Sequence, residues 1–359
     1  MLRRMKVEPE VDRRALIDVI RERYGLEIAA LSFVPQGLGS YSYVAGDTGG
    51  HRVFLKLFAT DRPEWAARRP GFELPLAEAL AGLGLVRVPR PLRDREGDLV
   101  NHVDGFDLVL LELLEGRSLA DERGWPQPLY DALADTLAGI HASTERVAHL
   151  VPRTERFELP FLPALVDAVK RLAPAARMSQ AHPTLVHLAD LLVPRESELR
   201  TRIARLEALR HRAKARGGGT VLCHTDFWGS NLILDPLERL HVLDWDGALL
   251  APPEHDLFMF AGTEFFPEER FGSFLERYET AFRPVDLDAQ VLGFYAYRRN
   301  LEDLADFVAT LVAGAGEEIE LNYALGYTEA LIAEWPRLEP RITAVEGVVA
   351  ARRVSSSGS

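Results

Sequence analysis

Cysteine is nearly absent: Cys223 is the single one in 359 residues. That excludes an intrachain disulfide framework and any zinc site built on several thiolates. No apolar run approaches the ~18–20 residues that span a bilayer, so no membrane partner is expected. Basic residues are in deficit, 42 Lys and Arg against 54 Asp and Glu, for a formal net charge of -12. A surface so acidic repels phosphate backbones, and nucleic acid is not an expected partner. The start, Met1-Leu-Arg-Arg-Met-Lys-Val-Glu-Pro9, is basic with no apolar segment behind it. No secretory signal is read there, and a cytoplasmic location is expected. What the chain has in quantity is apolar side chain, 47% of residues. That suffices for one large core or two moderate ones and excludes a disordered or fibrous protein.

Periodicity divides the chain in two. Leu16, Val19, Ile20 and Arg23 follow helical spacing and predict an amphipathic helix over 11–24. Three short runs rich in β-branched and aromatic residues follow at 28–34, 41–45 and 52–58, punctuated by Gln36-Gly-Leu-Gly39 and Gly46-Asp-Thr-Gly-Gly50. They predict two hairpins of an antiparallel sheet. A helix is expected from about 72 to 83, then two more strands around Asp104-Gly105. Beyond Gly116 the pattern turns helical, at 129–141, 162–172, 196–216, 271–282, 288–310 and 322–335, with one β-segment over 221–246. The expectation is an α+β fold with a small sheet lobe, 1–114, a larger helical lobe, 115–353, and a disordered tail at 354–359.

The most specific stretch is His224-Thr-Asp226-Phe-Trp-Gly-Ser-Asn231, then Leu-Ile-Leu, a turn, and His-Val-Leu-Asp244-Trp-Asp246. If Leu234 pairs with His241, antiparallel register sets Asn231 opposite Asp244. An amide oxygen and a carboxylate then converge at the open end of a hairpin, a suitable pair of hard ligands for Mg²⁺. Asp226, five residues before Asn231, is close enough to face the same point and to accept a proton from an attacking hydroxyl. Burying three such side chains unpaired on an ordinary hairpin would be costly. A nucleophilic reading through Cys223 and His224 fails, because neighbours on a strand point to opposite faces. Cys223 reads as a small core residue.

This segment, with its extension Asp244-Trp-Asp246-Gly-Ala-Leu-Leu-Ala-Pro-Pro-Glu-His-Asp256-Leu, resembles the catalytic segment of aminoglycoside phosphotransferases and choline-kinase-like small-molecule kinases. The Asp-Trp-Asp and Ala-Pro-x-Glu-x-Asp-Leu pattern is most similar to the spectinomycin phosphotransferase branch. The resemblance implies a protein-kinase-like two-lobed fold, and an enzyme moving the γ-phosphoryl of ATP, with GTP as an alternative donor, to a hydroxyl of a small acceptor. By the same resemblance Asp226 is the catalytic base, Asn231 and Asp244 hold Mg²⁺, and His224 and Asp256 brace the loop. His224 also reads as an ordinary buried histidine. Asp246 is a further metal or substrate carboxylate, or a polar strand end.

Lys56 lies in Val53-Phe-Leu-Lys56-Leu-Phe, where a lysine needs an anionic partner or an exit to solvent. In the family the corresponding strand lysine contacts nucleotide phosphates and pairs with a helix glutamate. Glu73 shares the inward face with Leu76, Leu80 and Leu83, whereas Glu78 lies about 140° away on the helical wheel. Glu73 is the favoured partner, provided Pro75 falls in the first turn. Gln36-Gly37-Leu-Gly39-Ser40-Tyr-Ser42 occupies the turn where a kinase covers its nucleotide, which assigns phosphate contact to backbone amides and to Ser40 or Ser42. An ordinary hairpin turn is the alternative. The resemblance gives the adenine edge to the Glu112 carbonyl and the Leu114 amide.

Charge is uneven. Residues 195–216 are basic, and a solvated helix face is the default reading there. Residues 301–336 carry eight Asp and Glu and no Lys or Arg, which sets a negative potential over any neighbouring cleft. Glu302 and Asp306 are one turn apart on the expected helix, a repulsive pair that a cationic acceptor would relieve and that solvent exposure explains equally well. The reading is a small-molecule kinase for an aminocyclitol or aminoglycoside. A metabolic kinase for choline, a sugar or an amino-acid alcohol is the alternative within the class, and a pseudokinase the alternative outside it.

Overall fold

The computed structural model describes residues 8–35, 40–60, 70–121, 125–178, 182–262, 266–314 and 318–357. The glycine-rich turn at 36–39 lies outside them. The chain forms two compact units. The first comprises Met1–Thr154, Val221–Leu250 and Thr280–Phe282, the second Glu155–Thr220, Ala251–Glu279 and Arg283–Ser359. Compactness thus groups the 221–250 segment with the sheet, whereas a cut at 114/115 sets it with the helices. The reason is local pairing: Arg117 and Ser118, just past the sheet, pair with Leu234 and Ile233.

The first unit is built on an antiparallel sheet of β1 (Ile28–Val34), β2 (Tyr41–Asp47), β3 (Arg52–Ala59), β4 (Asn101–Val103) and β5 (Phe106–Glu112), in the order β1-β2-β3-β5-β4. Helix α1 (Arg13–Val19) and a π-helical turn, Ile20–Tyr24, bury Leu16 and Ile20 against Tyr43, Val53, Leu55 and Leu57. Side chains alternate across a strand, so Phe54, Lys56 and Phe58 stand on the other, less buried face of β3. Helix α2 (Glu73–Leu83) starts early enough for Pro75 to fall in its first turn, where no backbone N–H is needed. Beyond the sheet come β6 (Arg117–Ser118), α3 (Gln127–Ala142), α4 (Thr144–Val147), β7 (Val221–Cys223), β8 (Leu232–Leu234), β9 (Leu240–Val242) and β10 (Leu249–Ala251). Strands β6, β8 and β9 make a small sheet, and β10 lies beside β7.

The second unit is helical. Its longest helix spans Ala289–Ala313 and packs against Leu162–Ala176, Glu196–Arg216, Glu318–Ala333 and Leu338–Ser357. The last of these runs through most of the segment read as a disordered tail. Burial of Leu338, Ile342 and Val345 fixes its first turns, and extension then costs little per residue. Pro183–Leu192, a helix not anticipated, starts on an unusual cap, the His182 Nδ1 accepting the Thr184 N–H at 3.3 Å. No helix among the described residues is long and apolar enough to cross a membrane.

One turn design recurs three times in the first unit. Asp47, Asp94 and Asp235 each close a five-residue turn in which the Asp carboxylate accepts the N–H groups two and four residues on, at 2.8–2.9 Å. The fourth residue takes a left-handed conformation: Gly50 (φ 85°), Gly97 (φ 95°) and Glu238 (φ 56°). This is a type I turn followed by a left-handed residue. It corrects the expected hairpin register, because the turn holds one residue fewer than assumed. Leu234 pairs with Leu240 and Leu232 with Val242, so Asn231 faces Leu243 rather than Asp244.

Glu238 is the one non-glycine among the three left-handed positions, and a left-handed L-residue costs about 1–2 kcal/mol. Its exposed ion pair with Arg117 (3.0 Å) offsets less than about 1 kcal/mol. Glu238→Gly is therefore expected to raise the melting temperature slightly, and Gly50→Ala or Gly97→Ala to lower it. A loss of stability on Glu238→Gly in a thermal melt would contradict this account of the turn.

Candidate active site

The segment after β7 is held by a closed circuit of hydrogen bonds. His224 is fully buried. Its Nε2–H donates to the Leu243 carbonyl at 2.7 Å, and its Nδ1 accepts the Asp226 N–H at 3.3 Å, which together assign the tautomer. The Leu243 N–H donates to the Asn231 carbonyl at 2.8 Å. The Asn231 Nδ2 then donates both to the Asp226 carbonyl (2.9 Å) and to Asp226 Oδ2 (2.8 Å). Both backbone polar groups of one residue, the N–H and the C=O of Leu243, therefore join the loop carrying Asp226 to the hairpin carrying Asn231 and Asp244. The His224 ring packs edge-on against Trp245, with centroids 4.7 Å apart.

Two residues on this loop sit in left-handed backbone, Thr225 (φ 73°) and Asp244 (φ 63°). Aspartate tolerates that region, but a β-branched threonine there is strained. The Thr225 hydroxyl donates to the Gly247 carbonyl at 3.1 Å. A Cβ on Gly247 would lie 2.6 Å from that hydroxyl, which explains the glycine after Asp244-Trp-Asp246. Sequence reasoning missed Thr225 entirely. The glycine was the available signal.

Asn231 is buried and its amide nitrogen is committed to Asp226, so its amide oxygen is the atom left to meet a cation. Asp244, exposed and one residue past the Leu243 link, adds a carboxylate. These are hard oxygen donors of the kind Mg²⁺ takes, and the residues present fit that ion.

Register places Lys56 opposite Ser42 on β2 and Val109 on β5. Ser40 and Ser42 are buried. Glu73 is half-buried, and burial raises its carboxyl above the usual carboxylate range; the Asp246 charge raises it further and the Lys56 charge lowers it. Those three side chains thus share one electrostatic neighbourhood. Among the described residues no ion pair joins Lys56 to Glu73, whose Oε1 accepts the Gly71 N–H at 2.8 Å. Glu78 is engaged elsewhere, with Arg93 donating to both of its oxygens at 2.7 and 2.5 Å, which holds its carboxyl below the usual range. Glu112 ends β5 opposite Val53, with its N–H donating to the Arg90 carbonyl (2.9 Å); Leu114 lies just beyond the strand.

The remaining expected residues belong to the second unit. Asp256 is fully buried in the short helix Glu254–Leu257. Glu302 is half-buried and its carboxyl is raised, by burial first and also by Asp303 and Asp306, against the pull of Arg298 and Arg299. Asp306 is exposed. Sequence reasoning did not find the group beside them. Arg298 Nη1 bridges Glu155 at 2.8 Å, and His255, pushed down to about 4 by burial and by Arg298, stays neutral at physiological pH. Residues 143 positions apart left no local pattern to read.

The model of the phosphotransferase enzyme family matches residues 30–295. The chain is 27% identical over 256 residues to protein StrN of Streptomyces griseus, covering 68% of this chain and 76% of that protein. It is 31% identical over 180 residues to an N-acetylmuramate/N-acetylglucosamine kinase of Caulobacter vibrioides, covering 47% of this chain and 45% of the kinase. Among solved structures, a spectinomycin phosphotransferase in complex with ADP and spectinomycin superposes with a TM-score of 0.71. That match covers 92% of this chain and 99% of that one at 16% identity, a likeness of fold. The matched span includes the sheet, Lys56 and the whole Asp226–Asp256 segment, and the chain belongs to the phosphotransferase enzyme family, a small-molecule phosphotransferase acting on a hydroxyl.

Proposed function

We propose that the enzyme transfers the γ-phosphoryl group of ATP to a hydroxyl of a small cationic acceptor, an aminocyclitol or aminoglycoside. The observation that carries the chemistry is the bond pair from the Asn231 amide nitrogen to Asp226, which aims one carboxylate and leaves an amide oxygen beside it. Asp226 orients the acceptor hydroxyl and takes its proton. Lys56, with Ser40 and Ser42, positions the nucleotide phosphates, and Glu73 sets the local charge around Lys56. The Glu112 carbonyl and the Leu114 amide read the adenine edge. Mg²⁺, when held by Asn231 and Asp244, neutralises charge on the transferring phosphoryl group. His224 and Asp256 keep the loop in place. Residues 1–114 serve the nucleotide in this reading, and 115–353 carry the catalytic segment and the acceptor site. The cytoplasm is the compartment that supplies ATP.

Glu302 and Asp306 bias their surroundings toward a cation, and the acidic stretch 301–336 adds to the bias. The match to an aminosugar kinase favours a sugar as the second reading. Incubation with ATP or GTP, Mg²⁺ and a panel of aminocyclitols, aminoglycosides, choline and N-acetylated aminosugars, followed by mass spectrometry, separates the two. Phosphorylation of an amine-bearing acceptor is expected, and selective phosphorylation of a neutral sugar would overturn the acceptor assignment.

Three outcomes are expected from variants. Asp226→Asn should lower turnover by at least ~10², the low end for a general base, with nucleotide affinity retained. Wild-type turnover in a variant with an unchanged melt would remove Asp226 from the chemistry. Glu73→Ala should weaken nucleotide binding, whereas Glu78→Ala should be nearly silent, since it loses only a surface pair worth about 1 kcal/mol at most. The reverse ranking in a nucleotide titration would show that Glu73 does not serve Lys56. Because the Glu302 carboxyl is raised, it ionises only above the usual carboxylate range. The KM for a cationic acceptor should therefore fall as pH rises through that raised value, and should rise with salt. Glu302→Gln should abolish the pH-dependent part, and a KM profile unchanged by it would return Glu302 to ordinary surface.

A further inference from the structure

Glu73 is the first residue of α2. The residue before it, Phe72, occupies the cap position of α2 and offers no side-chain cap. Locally, the Glu73 carboxylate accepts the Gly71 N–H at 2.8 Å, and the Leu74 N–H donates to the Gly71 carbonyl at 3.3 Å. What meets this helix start comes from 80 residues further on. The Arg153 guanidinium lies over the Phe72 ring, 4.6 Å from its centroid. The same guanidinium donates through Nη2 to the Asp246 carbonyl. The Arg153 backbone is tied to the same stretch, its carbonyl accepting the Leu250 N–H at 2.9 Å, and Thr154 bridges Leu250 directly. One arginine is therefore anchored twice to residues 246–250, which leave the Asp244 hairpin, and its guanidinium lies over the ring of the residue preceding Glu73.

We propose that Arg153 is a positioning residue that ties the start of α2 to the backbone leaving the Asp244 hairpin, and so sets the reach of Glu73 toward Lys56. The proposal rests on the reading that Lys56 and Glu73 serve the nucleotide phosphates. Its logic is geometric. The electrostatic neighbourhood of Glu73 contains both Asp246 and Lys56. Shifting the helix start would alter both couplings at once. Arginine suits the task and lysine does not, because only a planar guanidinium stacks on a ring while donating in its own plane.

The test is a set of nucleotide titrations with a fluorescent ADP analogue on Arg153→Ala, Arg153→Lys, Phe72→Leu and Glu73→Gln, alone and with Arg153→Ala combined with Glu73→Gln. An exposed cation–π contact is worth a factor of about two to five. Arg153→Ala and Phe72→Leu should each weaken nucleotide binding by about that factor. Arg153→Lys should behave like Arg153→Ala, and the acceptor KM should stay unchanged in all three. The Glu73→Gln effect should shrink in the Arg153→Ala background, a coupling that a generally destabilised fold does not produce. Nucleotide affinity equal to wild type in the folded Phe72→Leu and Arg153→Lys variants would overturn the proposal while leaving the kinase reading intact. So would fully independent effects of Arg153→Ala and Glu73→Gln. Absence of nucleotide binding by the wild-type enzyme would overturn both.

Discussion

The backbone of Leu243 is the joint of the candidate site. Its carbonyl accepts from the buried His224 ring and its N–H donates to Asn231, whose amide nitrogen holds Asp226. A polar group buried without a partner costs more than a hydrogen bond returns, so each member of the circuit depends on the others being in place. The circuit also accounts for two left-handed residues. Thr225 and Asp244 flank its ends, where the chain must turn sharply away from strand geometry to keep both carboxylates near the hairpin mouth. Strain of that kind persists where surrounding bonds over-determine it.

Each unit holds one half-buried glutamate whose carboxyl is raised. In the first unit burial raises the half-buried Glu73, and backbone hydrogen bonds, with a smaller pull from Lys56, draw it down. In the second unit Glu302 is raised in the same sense, with Arg298 moderating it. Arg298 is itself committed to Glu155. Each carboxyl therefore sits where an added positive charge would stabilise its ionised form.

Much of the fold was legible because its signals are local. The apolar run at 52–58 identified β3, and Asp104-Gly105 marked the hairpin of β4 and β5. The family resemblance likewise rested on one contiguous segment. What escaped depended on counting or on distance. The hairpin register slipped by one because the Asp235 turn was read as one residue too long, and a single-residue slip changes every cross-strand neighbour. The helix through 354–357 was missed because a serine-rich end has weak propensity and its support comes from residues upstream. Arg153 and Arg298 meet partners tens to more than a hundred positions away, and no spacing rule reaches that far.

In the proposed mechanism Asn231 and Asp244 together form an oxygen site for a divalent cation beside Asp226. The most direct test substitutes Mn²⁺ for Mg²⁺ and follows its electron paramagnetic resonance with ADP on the wild-type protein, on Asn231→Leu and on Asp244→Ala, each checked by thermal melt. The account predicts protein-bound Mn²⁺ only when nucleotide is present, with the bound signal weakened by at least ~10-fold in either variant. Wild-type Mn²⁺ binding retained in both folded variants would contradict it.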